Sequence, residues 1–143
     1  MSHRPILKTI LAILITATAA HASEPAPKSR MANAIQIAQQ RAHRKTTWHC
    51  WAYVKDAMLA AGVVDSRPTT AYARQAGDEL SSKYGFRKLW NRNPKSAPVG
   101  AVVVYGGKDA GHVEIRTPSG FVSDFVSRTP YPRPVLGIYV KNS

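Results

Sequence analysis

The sequence contains a single cysteine, Cys50, among its 143 residues. A single cysteine excludes a disulfide within the chain, although small exported domains often depend on such bonds. A lone thiol outside the cytoplasm is open to oxidation and to pairing between molecules, so an exported protein that keeps one needs a reason. Cys50 is therefore the first candidate for a chemical role.

The sequence also lacks an apolar run long enough to cross a membrane, which takes about 20 residues. A short apolar run at residues 10–15 follows the basic residues Arg4 and Lys8, and Ala20-His21-Ala22 forms an A-x-A cleavage pattern. These features predict a cleavable secretory signal at residues 1–22, with an uncleaved anchor as the alternative. The mature protein is then expected to be periplasmic or secreted, with no stable membrane span.

Acidic residues are scarce: 8 stand against 20 lysines and arginines, which gives a formal net charge of +12. Such a charge favours an anionic partner, either nucleic acid, a membrane surface or a cell-wall polymer. Export and the absence of a nucleic-acid recognition motif argue against nucleic acid, since the basic residues are scattered along the chain. The wall polymer is the favoured partner, and solubility alone is the alternative reason for the charge.

No internal repeat or low-complexity segment divides the chain, so a linker at residues 23–30 and one domain at 31–143 are predicted. Helical periodicity predicts three helices: one from Arg30, one from Cys50 to a stop at Gly62, and one over residues 70–82. Their predicted inward residues are Met31, Ala34, Ile35, Ala38 and Ala42; Val54, Ala57, Met58 and Ala61; and Tyr72, Ala73, Ala76 and Leu80.

Strand patterns follow the helices. "VGAVVVYGG", "GHVEIR", "FVSDFV" and "VLGIYVK" predict four strands, joined by glycine and proline turns. Helices first and an antiparallel sheet afterwards indicate an α+β fold.

Cys50 falls on the first turn of the second predicted helix, where Thr46 or Thr47 could cap the chain. A helix N-terminus and a neighbouring imidazolium both favour a thiolate over a thiol, so a nucleophilic cysteine calls for a histidine elsewhere in the chain. The mature chain offers His43, His49 and His112. A zinc site built from them is disfavoured because no two have ligand spacing.

His112 is the strongest of these three candidates for a base, because a strand that follows Gly111 holds it rigidly. Strand alternation places Val113 and Ile115 on one face of the sheet and His112, Glu114 and Arg116 on the other.

The segments "CWAYVKDAMLAAG", "APVGAVVVYGG" and "GHVEI" together resemble the CHAP domain, a family of cysteine- and histidine-dependent amidohydrolases and peptidases. They are also similar to NlpC-type cell-wall peptidases, which share a papain-like core. The resemblance covers residues 35–140. It implies a papain-like amidase core with the N-terminal helices packed on a small antiparallel sheet.

The resemblance also implies site residues: Cys50 as the nucleophile, His112 as the base, and Asp124 as the acid that orients the imidazole. Ser123 and Glu114 are rivals of Asp124 for the third role. Two positions depart from the family pattern, since Ala101 stands where an Asp is usual and Glu114 stands where a small residue is usual.

The activity implied is hydrolysis of amide bonds in peptidoglycan, as an endopeptidase or an amidase, with no cofactor and no metal. The Cys50 backbone N–H is expected to contribute to the oxyanion hole, and Trp48, His49 or a nearby amide could supply a second donor. Two other functions stay open: a non-catalytic cationic wall-binding module, and an antibacterial toxin or lysis protein with the same chemistry.

Overall fold

A computed structural model describes residues 12–16 and 29–142. Most of the predicted signal segment and linker lies outside the described residues. The helices are α1 (Arg30–Arg41), α2 (Cys50–Ala60) and α3 (Ala76–Lys83), with 3₁₀ turns at Ala73–Gln75 and Pro94–Ser96. The strands are β1 (Arg87–Lys88), β2 (Val102–Tyr105), β3 (His112–Thr117), β4 (Gly120–Val122), β5 (Val126–Ser127) and β6 (Val135–Val140). None of the helices in the described ranges is long and apolar enough to cross a membrane.

Helix α1 forms as its periodicity predicts. Met31, Ala34, Ile35 and Ala38 are buried along one face, and Ala42 packs against them at the edge of the core. The Ser29 hydroxyl caps the helix by accepting a hydrogen bond from the Ala32 amide at 3.1 Å. A polar cap and one apolar face are sufficient to place this helix.

Helix α2 begins at Cys50, and Gly62 follows its end with a φ of +71°, a conformation that glycine adopts readily. The predicted threonine cap was wrong. The residue at the cap position is His49, whose side chain makes no capping hydrogen bond, and the hydroxyls of Thr46 and Thr47 donate to Asp124 instead.

The third helix is shorter than predicted. The chain is extended at Tyr72, enters a 3₁₀ turn, and becomes α-helical only at Ala76. Ala73, Ala76 and Leu80 are buried as expected, but the predicted inward position of Tyr72 was wrong, since its side chain is 56% exposed.

The six strands form one antiparallel sheet in the order β1-β6-β2-β3-β4-β5, so the predicted α+β class is confirmed. β1 was not predicted as a strand. The predicted strand "FVSDFV" is divided between β4 and β5, because Ser123 and Asp124 leave the ladder.

The sheet is buried on both faces. One face packs against the helices and carries Val102, Val104, Val113, Ile115, Val122 and Tyr139. The other face carries a smaller cluster of Ala101, Val103, Tyr105, Phe121 and Ile138, with Tyr131 and Val135 packed against it. In this register Tyr105 pairs with His112 and Val103 pairs with Glu114, which places His112 and Glu114 beside the smaller cluster.

Candidate active site

The fold brings Cys50 and His112 together. Cys50 is the half-buried first residue of α2, His112 is the first residue of β3, and α2 packs against that strand. Both residues line one groove. Burial alone would lower the pKa of His112, but its interactions with Cys50 and Glu114 raise that pKa to about 9. At neutral pH the imidazole is therefore protonated.

Glu114 occupies the other side of the imidazole. Its Oε2 lies 3.5 Å from His112 Nε2, an ion-pair distance that is long for a hydrogen bond. Both side chains are buried, with 4% of His112 and 1% of Glu114 exposed. His112 Nε2 has no hydrogen-bond partner among the described residues, so Glu114 is the charge that faces it. Because Nε2 points to Glu114, Nδ1 is the nitrogen left for Cys50.

Two tyrosines hold Glu114 in place. The Tyr105 hydroxyl donates to Glu114 Oε1 at 2.6 Å, and the Tyr131 backbone N–H donates to the same oxygen at 3.1 Å. Burial and the Glu114 carboxylate raise the pKa of Tyr105, so its hydroxyl keeps its proton and remains a donor. The second oxygen of Glu114 is left to face His112.

Tyr131 also stacks on His112, with ring centroids 3.9 Å apart and an angle of 20° between the ring planes. The Phe125 ring is tilted by 45° against the same imidazole, with 5.9 Å between the ring centroids. The only sequence signal near these aromatic contacts is the pair of prolines that flank Tyr131 in "RTPYPRP". The stacked ring limits rotation of the imidazole and shields it from water.

The structure does not bring Asp124 to His112. Its carboxylate is buried and accepts hydrogen bonds from the Thr47 amide, from the hydroxyls of Thr46 and Thr47, and from Ser123. Burial alone would raise the pKa of Asp124, but these hydrogen bonds lower it. Asp124 therefore fastens the loop that leads into Cys50, and the predicted contact with the imidazole is replaced by that of Glu114. Ser123, the other rival, donates a hydrogen bond from its hydroxyl to Asp124 Oδ1 at 3.0 Å.

We expect Asp124→Ala to lower the free energy of unfolding by about 1–3 kcal/mol, because it leaves buried donors without an acceptor. Asp124→Asn should lose less, since its side-chain oxygen can still accept from Thr47. The folded-state pKa of Asp124 is lowered. The stabilisation is therefore fully present at pH values above the usual pKa of an Asp carboxyl, and it is lost as pH falls through the lowered pKa. Urea unfolding of the three proteins between pH 7 and pH 3 measures both effects. An Ala variant as stable as the parent at pH 7 would contradict this role.

The other two histidines in the described ranges do not join Cys50 and His112. His43 Nε2 lies 2.8 Å from the Tyr53 hydroxyl, and His49 Nδ1 lies 2.7 Å from the Thr47 carbonyl oxygen. Both side chains are exposed. Each histidine thus has a local partner of its own.

A groove of about 330 Å³ opens above Cys50 and His112. Its lining includes Thr46, Trp48, His49, Trp51, Ala71, Ala73, Asp109, Ala110, Gly111 and Tyr131. Trp48 is 80% exposed and has a φ of +67°, the only positive φ of a non-glycine residue in the described ranges. A bulky residue in this conformation costs free energy and is held there by its surroundings, a situation common at functional sites.

The amide donors near Cys50 differ in availability. The Trp48 N–H donates to the Thr46 hydroxyl oxygen at 3.1 Å and is occupied. The first N–H groups of a helix have no acceptor within the helix, so the Cys50 amide at the start of α2 is available to an incoming oxygen. The groove therefore combines a thiol, a protonated imidazole and a free backbone donor.

Comparison with known proteins adds a fold neighbour. No protein-family model matches the chain, and no curated protein matches it. Among solved structures, the chain is similar to a chain of the type VI native effector–immunity complex Tae3–Tai3 from Ralstonia pickettii, with 23% identity and a TM-score of 0.66. The match covers 80% of this chain and 100% of the other. At this identity the likeness shows a shared α+β fold, and the resemblance to the CHAP family stays a prediction.

Proposed function

We propose that this protein is an exported cysteine hydrolase that cleaves amide bonds in peptidoglycan. The observation that carries the proposal is the buried imidazole of His112, which lines an open groove together with Cys50 and has the Glu114 carboxylate 3.5 Å from its Nε2. Nucleophile, base and orienting acid in this order form the arrangement used for acyl transfer through a covalent intermediate. The net charge of +12 suits a substrate that carries carboxylates.

In the proposed reaction, the Cys50 thiolate attacks the amide carbonyl carbon and the Cys50 N–H binds the oxyanion. His112 then gives its proton to the leaving amine as the C–N bond breaks, which leaves a thioester on Cys50. Water, deprotonated by the now neutral His112, attacks the thioester and releases the acid, and the thiolate–imidazolium pair forms again. Glu114 stabilises the imidazolium and fixes the orientation of its ring.

The structural neighbour supports a second candidate. That neighbour comes from a complex of an effector with an immunity protein, so the shared fold is also compatible with a protein that acts by binding a partner chain. A binding protein has no need of a thiol facing a protonated imidazole in an accessible groove. The first candidate accounts for that arrangement and the second does not. Remodelling of the host wall and attack on another cell would both use this chemistry.

Digestion of purified peptidoglycan, with mass analysis of the soluble fragments, tests the proposal. Free new amino groups and fragments cut at one type of amide bond are expected, and the fragment masses identify that bond. Intact peptidoglycan after incubation with folded protein would overturn the hydrolase proposal. Inhibition of a separate wall hydrolase by the same preparation would then favour the partner-binding candidate.

The rate of hydrolysis is expected to fall as pH rises through about 9, because His112 then loses the proton that it gives to the leaving amine. Since the folded-state pKa is raised, the associated stabilisation is fully present below about 6.5, the usual histidine value, and is lost as pH rises through about 9. NMR titration of the His112 ring and thermal unfolding at each pH separate loss of the proton from loss of the fold. A His112 ring that titrates near 6.5 would contradict the assignment.

A further inference from the structure

A tryptophan outside the groove is fully exposed. Trp90 follows β1 and its side chain buries essentially no surface, although tryptophan is on average a highly buried residue. Leu89, the residue before it, is partly buried against the smaller core cluster. An exposed indole on an anchored chain is a feature of binding surfaces, because the ring offers a large flat contact at low entropic cost.

The segment that carries Trp90 is well fixed. The Leu89 amide donates to the Ile138 carbonyl at 2.8 Å, the Asn91 side chain donates to the Ser96 hydroxyl at 2.7 Å, and the Asn93 amide donates to Asn91 Oδ1 at 2.9 Å. The Lys95 carbonyl accepts from the Arg116 guanidinium at 3.2 Å. The indole is therefore presented to solvent from an ordered loop.

Basic residues flank this tryptophan in the sequence. The nine residues 87–95 read "RKLWNRNPK" and carry four basic side chains and no acidic one. We define the Trp90 surface as Lys88, Trp90 and Arg92, all of them exposed. Lys88, Leu89, Trp90 and Arg92 line a shallow cavity of about 370 Å³. The surface is thus concave, cationic and aromatic.

We propose that the Trp90 surface is a second, non-catalytic binding site for an anionic glycan polymer, with a sugar ring stacked on Trp90 and peptide carboxylates paired with Lys88 and Arg92. The proposal rests on the proposed function, because peptidoglycan is such a polymer. A lipid membrane fits less well, since one indole in a concave surface offers little apolar area to insert.

The sheet register relates this site to the groove. Lys88 pairs with Tyr139, which pairs with Val102 on β2, which pairs with Ile115 on β3. Three strand spacings separate β1 from β3, or about 14 Å. The Trp90 surface beside β1 and His112 on β3 are therefore close enough for one extended polymer chain to contact both.

The test measures binding without cleavage, in the full chain carrying Cys50→Ala. Co-sedimentation with insoluble peptidoglycan is compared for this protein, for the same protein with Trp90→Ala, and for the same protein with Lys88→Ser and Arg92→Ser. Removal of Trp90 is expected to weaken binding about tenfold. The double variant should weaken binding as well and reduce its dependence on salt. Thermal unfolding midpoints should not move, because these side chains are exposed.

The matched control is the pair Arg41→Ser and Arg128→Ser, which removes two exposed cations outside the Trp90 surface. Equal weakening by this control would overturn the proposal in favour of general charge attraction. Wall binding that is unchanged by Trp90→Ala would also overturn the proposal. The proposal would also be overturned if Trp90→Ala weakened binding to phosphatidylglycerol vesicles or to single-stranded DNA but left wall binding unchanged. Failure of the proposed function appears separately, as absence of cleavage by the parent protein with Cys50 intact.

Discussion

Cys50→Ala is expected to abolish peptidoglycan hydrolysis, with a loss on the order of 10⁴-fold or more, because no other group in the groove can form the thioester. The thiol is small and only half-buried, so the fold should survive its removal. Fragment release from purified peptidoglycan measures the activity, and thermal unfolding measures the fold. The same variant should also lower the pKa of His112 below about 9, since an interaction with Cys50 is one cause that raises it.

Cys50→Ser is the matched control for this experiment. Serine keeps the shape and a hydroxyl, but its oxygen does not ionise at neutral pH beside an imidazolium, so activity should be lost in this variant as well. Activity near that of the parent in the Ala variant would rule out a thiol mechanism. Unfolding of the Ala variant would instead identify Cys50 as a core residue, which is the most common role of an unpaired cysteine.

Glu114→Gln is expected to reduce hydrolysis by about 10³–10⁴-fold, the scale seen when a histidine loses its orienting carboxylate in a serine protease. The amide can still accept from Tyr105, but its NH₂ group then faces His112 Nε2 and disfavours a proton there. The imidazolium loses a stabilising charge, so the pKa of His112 should fall. The alkaline limit of the pH–rate profile should therefore move below about 9.

Asp124→Asn is the matched control for Glu114→Gln, because it neutralises the other buried acid near the groove. Its hydrogen bonds go to Thr46, Thr47 and Ser123, so the alkaline limit of the rate should stay where it is in the parent. The reverse outcome, a shifted limit in Asp124→Asn and an unshifted limit in Glu114→Gln, would return the orienting role to Asp124. A change in the pH profile is an effect that a purely structural role of Glu114 would not produce.

The placement of Cys50 and His112 follows from local patterns. Apolar residues at helical spacing, with Gly62 behind them, put Cys50 at the start of α2, and strand alternation after Gly111 put His112 and Glu114 on one face of β3. These periodicities depend on near neighbours only, so the sequence can show them. The same alternation already contained the signal for Glu114, which stands two residues from His112 on a strand.

The role of Asp124 could not be predicted in this way. Its partners, Thr46 and Thr47, lie 78 and 77 positions away in the chain, and only the packing of the finished fold shows that they meet. Tyr131 lies in an irregular segment, where periodicity is silent, and its stacking on His112 is a tertiary contact. Strand β1 is two residues long, too short for any alternation to appear. Contacts between distant or irregular segments therefore could not be predicted from sequence patterns.

The hydrogen bond from the Thr47 amide to Asp124 has a consequence for the order in which the molecule assembles. It closes a chain loop of 77 positions that contains α2, α3 and the strands β1 to β4. Contacts of such large sequence separation form late, because the loop must close before they stabilise anything. In a chain made from its N-terminus, Cys50 is therefore synthesised well before His112 and Asp124 can pack near it. The pairing of Cys50 on α2 with His112 on β3 is complete only once the C-terminal third of the chain has joined the sheet.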